Sequence, residues 1–301
     1  MMKDKVCMVT GASSGIGKAV TTGLAKTGAK IVMVSQNVNR ANKAREEIVA
    51  TTGNKNVEVI LADFASQKSI IEMTEHFYNK HDRLDVLVNN AGAHFSKHHE
   101  TVEGVEMTFA INYLSHFLLT NLLSDILIKS APCRIVNVAG EYHRKGEIHF
   151  DDLHLEKHYT AFKATSQAQL ARVLFTYELA RRAKELNIIV NCAHPGAVAT
   201  HIIDHDPDIS PFLKFLFKLA RPMMDPPATG AETILDLTPA PEIEATGKYF
   251  IKKQAVRSSE KSYDEKLALR LWDVSKQLTT HGDIQKSFEP LHYDSNKMYS
   301  E

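Results

Sequence analysis

Short apolar runs alternate with longer amphipathic runs along most of this chain. The apolar runs have the length and the β-branched content of buried strands, whereas the longer runs have helical periodicity. Strands that alternate with helices form right-handed βαβ units, so the pattern predicts a parallel sheet with helices on both faces. We therefore expect one doubly wound α/β domain of about seven strands, with a ligand site at the carboxyl ends of the strands.

The predicted domain spans residues 1–279, and residues 280–301 form a C-terminal tail of unknown role. The predicted strands are Val6–Val9, Ile31–Ser35, Val57–Ala62, Val86–Asn89, Arg134–Val138, Ile188–Ala193 and Lys248–Ile251. The predicted helices include Ile16–Lys26, Arg40–Thr51, Ser69–Lys80, Leu114–Lys129, Gln167–Glu185 and Ala228–Leu237. A segment at about 200–227 interrupts the alternation, and we interpret it as a lid over a substrate site.

The segment VCMVTGASSGIGKAV places Gly11, Gly15 and Gly17 between the first strand and the first helix. Glycine lets the backbone turn tightly and approach a pyrophosphate, whose charge then meets the free N–H groups of the helix N-terminus. In this strand–turn–helix context the glycine spacing predicts a dinucleotide site, and the whole pattern predicts a Rossmann fold.

Further stretches follow in a definite order: LADFAS around Asp63, NNAG from Asn89, INYLSHFLLT with Asn112, and HPGAVAT from His194. Together with TGASSGIG, they make the chain resemble the short-chain dehydrogenase/reductase family and, within it, the retinol-dehydrogenase-like branch. The likeness continues through TGKYF and LRLWDVS to about Ser275. The tail beyond does not share it.

The resemblance implies an NAD(P)(H) cofactor. The residues that it assigns to cofactor binding are Gly11, Ser13, Ser14, Gly15, Ile16, Gly17, Gln36, Arg40, Asp63, Phe64, Asn90, Ala91, Gly92, Gln169, Pro195, Gly196, Val198 and Thr200. After the second strand the chain reads VSQNVNR, which lacks the acid that binds the ribose 2′-OH of NAD. The branch has Arg where Gln36 stands, and Arg40 and Lys18 offer charge for a 2′-phosphate. We therefore favour NADP(H) over NAD(H), held either with or without redox turnover.

The family's proton relay is missing at three of its four positions. The resemblance implies a catalytic Ser after RIVNVA, where this chain has Gly140, and a Tyr-x-x-x-Lys pair where it has Thr165 and Gln169. Only Asn112 remains. Thr cannot replace the phenol as a proton donor, and Gln brings no charge, so we expect little ordinary reductase activity.

Tyr159 and Lys163 form a second Tyr-x-x-x-Lys spacing six residues earlier. A shift of six residues turns a helix by a net ~240° and moves a group ~9 Å along its axis. We therefore interpret Tyr159 and Lys163 as a decoy, with a substitute relay as the alternative.

Three functions stay open. The first is an enzyme with non-standard chemistry (isomerisation, elimination or cyclisation) on a hydrophobic small molecule, for which His94, Glu141 and Tyr142 are candidate groups beside Asn112. The second is a carbonyl or alcohol oxidoreductase with a relocated proton donor, above all Tyr142. The third is a non-catalytic pseudoenzyme or assembly subunit, which would co-purify with an active paralogue.

Composition limits the partners. Lys plus Arg equals Asp plus Glu, 36 each, so no basic surplus points to nucleic acid, and the scattered His residues suggest no metal site. Three Cys in apolar runs, no secretory h-region and no apolar run of transmembrane length favour a cytoplasmic protein. Phe212, Phe215, Leu216 and Leu219 form one helical stripe in the lid, either packed on the domain or contacting a membrane or partner. We also expect a homo-oligomer, because the family commonly assembles through long helices.

Overall fold

A single twisted sheet organises the computed structural model, which describes residues 2–196, 198, 206–220, 225–239, 245–279 and 288. Its eight strands lie in the order β3-β2-β1-β4-β5-β6-β7-β8, and all neighbours are parallel except β7 and β8. The strands are β1 Val6–Thr10, β2 Lys30–Ser35, β3 Val57–Leu61, β4 Val86–Asn89, β5 Cys133–Val138, β6 Ile188–His194, β7 Tyr249–Ile251 and β8 Gln254–Val256. The order reverses between β1 and β4, and a crevice opens at such a switch point.

Helices cover both faces of the sheet. They are α1 Gly15–Lys26, α2 Val38–Thr52, α3 Gln67–Tyr78, α4 Met107–Phe109, α5 Ser115–Leu122, α6 Ser124–Lys129, α7 Ala161–Arg182, α8 Pro211–Ala220, α9 Pro227–Asp236 and α10 Glu265–Leu278. One core cluster fills the side of α3, α5, α7 and α10, and a second fills the side of α1, α2 and α9. The fully buried strands β1, β4 and β5 run between these two clusters, which explains their continuous apolar sequences.

The structure confirms the single doubly wound domain and corrects several details. The sheet has eight strands within the described residues, not about seven, because β8 adds an antiparallel edge of three largely exposed residues that carry no apolar pattern. The helix predicted over Leu114–Lys129 is divided into a π-helical turn at Ala110–Leu114, then α5 and α6.

Helix α7 begins six residues before the predicted Gln167. Thr160 caps it by accepting a hydrogen bond from the Lys163 N–H at 3.1 Å. Its 22 residues are buried on nearly every side, because α10 packs on the face that points away from the sheet. Thr165 and Gln169, on the stripe predicted to be catalytic, are partly buried and lie outside the fully buried part of this helix.

The three cysteines are buried free thiols, as the sequence predicts. Burial raises the pKa of Cys7, Cys133 and Cys192 to about 12. Of the predicted C-terminal tail, Phe288 alone lies among the described residues, where it is buried.

Candidate functional site: the nucleotide crevice and the relay positions

The glycine loop has the geometry of a phosphate cradle. Gly11 and Gly15 adopt left-handed backbone angles, φ +66° and +52°. A Cβ at Gly17 would lie 2.3 Å from the Gly11 carbonyl oxygen, so only glycine permits this close turn. Within the described structure the Ser14 side chain does not cap α1, and the first turn carries no acid. The N-terminal N–H groups of α1 are thus available to an anion, which fits a pyrophosphate.

Thr10 joins the glycine loop to the NNAG segment. Its hydroxyl accepts hydrogen bonds from the backbone N–H groups of Asn90 and Ala91, each at 2.9 Å. Asn90 returns a bond from Nδ2 to the Thr10 carbonyl at 2.8 Å. Asn89, one residue earlier, donates to Asn137 of β5 at 2.8 Å and to Thr120 at 2.9 Å. These bonds fix the floor of the crevice on both sides of the switch point.

The expected adenine side shows one change from the sequence prediction. Gln36 and Arg40 are exposed at the end of β2, where a 2′-phosphate can reach them. Lys18, in contrast, forms an ion pair with Glu47 and is therefore committed to α2. Asp63 lies after β3 and accepts the Ala65 N–H at 2.9 Å.

Phe64, the neighbour of Asp63, is turned away from the crevice edge. It is 9% exposed and packs edge-on against His116 with ring centroids 6.1 Å apart. Its side chain therefore belongs to the core, so any contact with a nucleotide falls to its backbone.

The Pro-Gly segment continues from β6 toward the same crevice. Gly196 has φ +87°, and His194 Nδ1 accepts its N–H at 3.0 Å. Gly230 of α9 packs so closely here that a Cβ would lie 2.5 Å from Val198 and 3.1 Å from the Pro195 oxygen. Thr200, the last residue expected to contact the nicotinamide, lies outside the described residues.

Gly140 and Gln169, which the sequence analysis assigned to the Ser and Lys positions, contact each other directly. The Gly140 backbone N–H donates to Gln169 Oε1 at 2.6 Å. Because an N–H can only donate, the amide oxygen of Gln169 must face Gly140, and its NH2 group is left as a donor. Thr165 lies one turn earlier on the same face of α7 and is partly buried. The structure therefore brings Gly140 and Gln169 into contact, and the assignment of Gly140, Thr165 and Gln169 as relay positions stays a prediction.

Asn112 holds backbone instead of facing the relay. Its Oδ1 accepts the Ala93 N–H at 2.7 Å, and its Nδ2 donates to the Ala93 carbonyl at 2.9 Å. The residue is 3% exposed and sits in the π-helical turn. These two hydrogen bonds hold the backbone in place just after Gly92.

A buried cation escaped the sequence interpretation. Arg172 is 3% exposed and donates to three carbonyls: Asn112 at 2.6 Å, Ala91 at 3.1 Å, and Val138. These carbonyls belong to the segments that form the crevice floor. The available signal was spacing, because Thr165, Gln169 and Arg172 recur at i, i+4 and i+7 on one helix face.

The three alternative catalytic candidates are not gathered together. Glu141 is about half exposed and forms an ion pair with Arg144. Tyr142 is 54% exposed and packs edge-on against Phe162, with ring centroids 5.6 Å apart. His94 is partly buried, and this burial lowers its pKa although Asp206 opposes the shift.

Tyr159 does not lie on α7, so the argument from helical register was an incomplete reason to exclude it as a relay residue. It precedes the helix, and its hydroxyl donates to the Phe95 carbonyl at 2.8 Å. Burial raises its pKa to about 12, further from the range of a proton donor at neutral pH. The position supports the interpretation that Tyr159 and Lys163 are not the catalytic Tyr–Lys pair.

The lid stripe is exposed, which contradicts the packed interpretation. Phe212, Phe215, Leu216 and Leu219 of α8 are 69%, 55%, 43% and 60% exposed. The start of the segment is tied to the loop after β4, since Asp206 accepts the Ser96 N–H at 2.6 Å. The rest of the predicted lid between 200 and 205 and between 221 and 224 lies outside the described residues.

The described residues contain neither a membrane-spanning helix nor a cluster of metal-binding side chains. No helix there is long and apolar enough to cross a membrane. Nor does the described part of the chain bring three or more His, Cys, Asp or Glu side chains together as a metal site.

Comparison with known proteins gives consistent matches. A family model described as short chain dehydrogenase matches residues 5–208. Retinol dehydrogenase 11 from Homo sapiens is 39% identical over 279 residues, covering 92% of this chain and 86% of the relative. Retinol dehydrogenase 14 from Homo sapiens is 37% identical over 291 residues, with the same coverage of both chains.

Solved structures agree on the fold. An uncharacterized protein from Mycobacterium paratuberculosis superposes with a TM-score of 0.71 at 26% identity, covering 92% of this chain and 94% of that one. A short chain dehydrogenase from Shigella flexneri, solved with NADP, gives 0.65 at 21% identity and covers 84% and 98%. At that identity the second likeness carries the fold alone.

Proposed function

The chain belongs to the short chain dehydrogenase family, whose fold binds a nicotinamide cofactor, and on this premise we propose an atypical member. It binds NADP(H) in the crevice and acts on a hydrophobic small molecule without the Ser–Tyr–Lys relay. The reaction is an isomerisation, elimination or cyclisation, or an unconventional use of the nucleotide.

One observation carries the proposal: the Gln169 amide oxygen accepts the Gly140 N–H at 2.6 Å. At the proposed Ser and Lys positions, the hydroxyl that would polarise a carbonyl and the cation that would assist the proton donor are replaced by this neutral contact, and Thr165 stands at the proposed position of the proton donor. General acid assistance and an oxyanion donor are worth ~10²–10⁴ and ~10²–10³ in rate, so a family reductase without them is slow.

The remaining residues retain the parts needed to bind a nucleotide. The uncapped start of α1 meets phosphate, and exposed Arg40 offers charge to a 2′-phosphate. The NH2 group of Gln169 can donate to ribose hydroxyls. When bound, the nucleotide supplies a nicotinamide that donates or accepts a hydride.

The names of the relatives suggest the chemical class of the substrate. Both human relatives described above are retinol dehydrogenases. Exposed Tyr142 and Phe162 add aromatic surface next to the first turn of α7. A long apolar alcohol, aldehyde or polyene suits such surroundings.

A second candidate is an oxidoreductase in which Tyr142 donates the proton. Tyr142 follows the vacated Ser position by two residues and packs on Phe162, three residues before Thr165. Tyr142→Phe distinguishes the two, since it abolishes turnover only if the phenol donates. Full activity of Tyr142→Phe, His94→Ala and Glu141→Gln excludes all three groups from catalysis.

The first experiment is a fluorescence titration of the purified protein with NADPH and with NADH. We expect tight NADPH binding without oxidation of the nucleotide in the absence of substrate. Failure to bind either nucleotide would contradict the proposal and favour a non-catalytic assembly subunit. Co-purification with an active paralogue would then be the next observation to seek.

The second experiment restores the relay with Gly140→Ser, Thr165→Tyr and Gln169→Lys together. With a long-chain aldehyde such as retinal, the triple variant should oxidise NADPH at least ~10²-fold faster than the wild type. Rapid NADPH oxidation by the wild type would contradict the interpretation that the chain lacks a working proton relay. The matched control is Thr165→Phe in the same background, which adds the ring without the hydroxyl.

A further inference from the structure

Arg172 lies directly beyond the emptied relay. Thr165, Gln169 and Arg172 occupy one stripe of α7, and the guanidinium is one turn past the amide that contacts Gly140. It donates to the carbonyls of Ala91, Asn112 and Val138. Ala91 is in the NNAG segment, and Val138 precedes Gly140 by two residues, so the cation lies under the crevice floor.

The charge of Arg172 is not balanced by a carboxylate. Its bonds go to neutral carbonyls, and the ion pairs of the described residues do not include it. Arg182, ten residues later on the same helix, pairs with Glu178 at 2.6 Å. A buried charge without a counter-ion is costly, which makes a purely structural role for Arg172 expensive.

The side chain remains a cation at neutral pH and acts on its surroundings. Burial lowers the pKa of Arg172 to about 10, which still lies well above neutrality. Burial first and the Arg172 charge second lower the pKa of His116, on neighbouring α5. The field of the guanidinium thus extends beyond the groups that it contacts.

We propose that Arg172 is a positioning residue that supplies, from one turn further along α7, the fixed positive charge that the family places at Gln169. It holds the three backbone segments of the crevice floor, and its charge favours the neutral reduced nicotinamide over the positively charged oxidised one. Like charges repel strongly where water is excluded. The inference rests on the proposed function, because it concerns the same nucleotide site.

The experiment compares dissociation constants for NADPH and NADP⁺ by calorimetry in the wild type, Arg172→Gln and Arg172→Lys. We expect the wild type to bind NADPH more tightly than NADP⁺. In Arg172→Gln, which keeps hydrogen-bond donors, the ratio of the NADP⁺ to the NADPH dissociation constant should fall about tenfold. Arg172→Lys should retain most of the wild-type preference. Arg182→Gln is the matched control: it removes a buried arginine from the same helix, so it should lower thermal stability without changing the preference.

A second measurement needs no variant. If the oxidised ring is repelled, the wild type should bind 2′-phospho-ADP-ribose, which lacks the nicotinamide, at least as tightly as NADP⁺. Tighter binding of NADP⁺ than of 2′-phospho-ADP-ribose, or an unchanged preference in Arg172→Gln, overturns the inference while leaving nucleotide binding intact. A wild type that binds none of these ligands overturns the proposed function as well.

Discussion

At the scale of single residues, the site exchanges ionisable groups for groups that only hydrogen-bond. Gln169 is polar but neutral at every accessible pH, and Thr165 keeps a hydroxyl that does not ionise usefully. The one strong charge nearby, Arg172, is fully occupied with backbone. Any chemistry in the crevice must therefore use the substrate's own reactivity, the nucleotide, or Tyr142 and His94 at its margin.

A buried carboxylate at the opposite end of the sheet sets an acid limit on stability. Asp85 is 4% exposed and accepts from Lys5 Nζ at 2.8 Å, Arg83 Nη2 at 2.5 Å and the Val6 N–H at 2.9 Å. Burial alone would raise its pKa, but the bonds to Arg83, Lys5 and Val6 outweigh this effect and lower it. The stabilisation is therefore present above pH ~4 and is lost as pH falls through the folded pKa.

Asp85→Asn should lower the free energy of unfolding at pH 7 by about 1–3 kcal/mol, because charged hydrogen bonds are lost. The difference from the wild type should shrink as the pH is lowered below ~4. Urea denaturation at pH 7 and at a pH below ~4 measures the loss of unfolding free energy and its decrease with pH. Asp151→Asn, at an exposed position, is the control and should change stability by less than ~0.5 kcal/mol. An equal deficit at both pH values would show that the charge is not responsible.

Sequence reasoning was strongest where a residue's role is local. The glycines of the loop were identified correctly because a left-handed φ and a close turn demand that residue type. Arg172 was missed because an arginine within a helix ordinarily lies at the surface. It is buried where α7 packs against the ends of β4 and β5 and the π-helical turn, as its bonds to Ala91, Val138 and Asn112 show. The Glu141–Arg144 pair was missed for a similar reason, since exposure depends on the surrounding fold.

At the scale of elements, α10 acts as a cover for the long helices. Trp272 is 2% exposed, with its ring centroid 5.0 Å from Phe117 of α5 and 5.8 Å from Phe175 of α7. Arg182 lies 4.2 Å above the same ring. Among the described residues the indole N–H has no hydrogen-bond partner, so Trp272 contributes through packing.

Trp272→Ala should therefore lower the free energy of unfolding by about 3–5 kcal/mol. Trp272→Phe should cost less than Trp272→Ala, because it keeps an aromatic ring and leaves a smaller cavity, and the donor that it removes is unpaired. Guanidinium denaturation followed by circular dichroism compares the two variants. Equal losses would mean that the indole N–H matters and that packing alone is an insufficient account.

The α8 stripe predicts contact with an anionic lipid surface. The helix exposes four large apolar side chains, and its two charged residues are Lys214 and Lys218. A surface with negative headgroups complements both the charge and the apolar stripe.

The protein should co-sediment with vesicles of phosphatidylcholine and phosphatidylserine, and more weakly with phosphatidylcholine alone. Phe212→Ser with Phe215→Ser should abolish binding, because the buried apolar area is lost. Val102→Ser, which alters a side chain that is 90% exposed elsewhere, is the matched control and should bind normally. Equal binding by all three proteins would exclude α8 as the contact.

Element boundaries show what a sequence pattern can and cannot supply. The seven predicted strands all exist and end within about one residue of their observed limits, because buried parallel strands are continuous apolar runs. The start of α7 was missed because the six residues Ala161–Ser166 are of mixed polarity and show no clear apolar stripe, so the Thr160 cap is the main local signal. The π-helical turn at Ala110–Leu114 has no sequence signature of its own.

At the scale of the whole molecule, nucleotide binding should stabilise the fold. A ligand that binds only the folded state at about 100 times its Kd adds ~2.7 kcal/mol to the free energy of unfolding. For a chain of this size that corresponds to a rise of roughly 4 °C in the thermal midpoint. We expect NADPH to produce this shift, and NADH to produce a smaller one.

Arg40→Ala provides the matching control, because it removes the charge assigned to the 2′-phosphate. It should reduce the NADPH shift and leave the NADH shift unchanged, as differential scanning fluorimetry can measure. A uniform reduction for both nucleotides would place Arg40 outside phosphate recognition.

Cytoplasmic location and homo-oligomerisation stay predictions. Because α10 covers α5 and α7, an oligomer formed through those helices must also engage α10.

The position of Arg172 has a consequence for the history that such a site can have. A change of Gln169 to Lys would set a second cation one turn from a buried one, which lowers stability without preventing folding. The lysine and the arginine thus disfavour each other, and we expect related sequences to carry one of the two cations at these positions and not both.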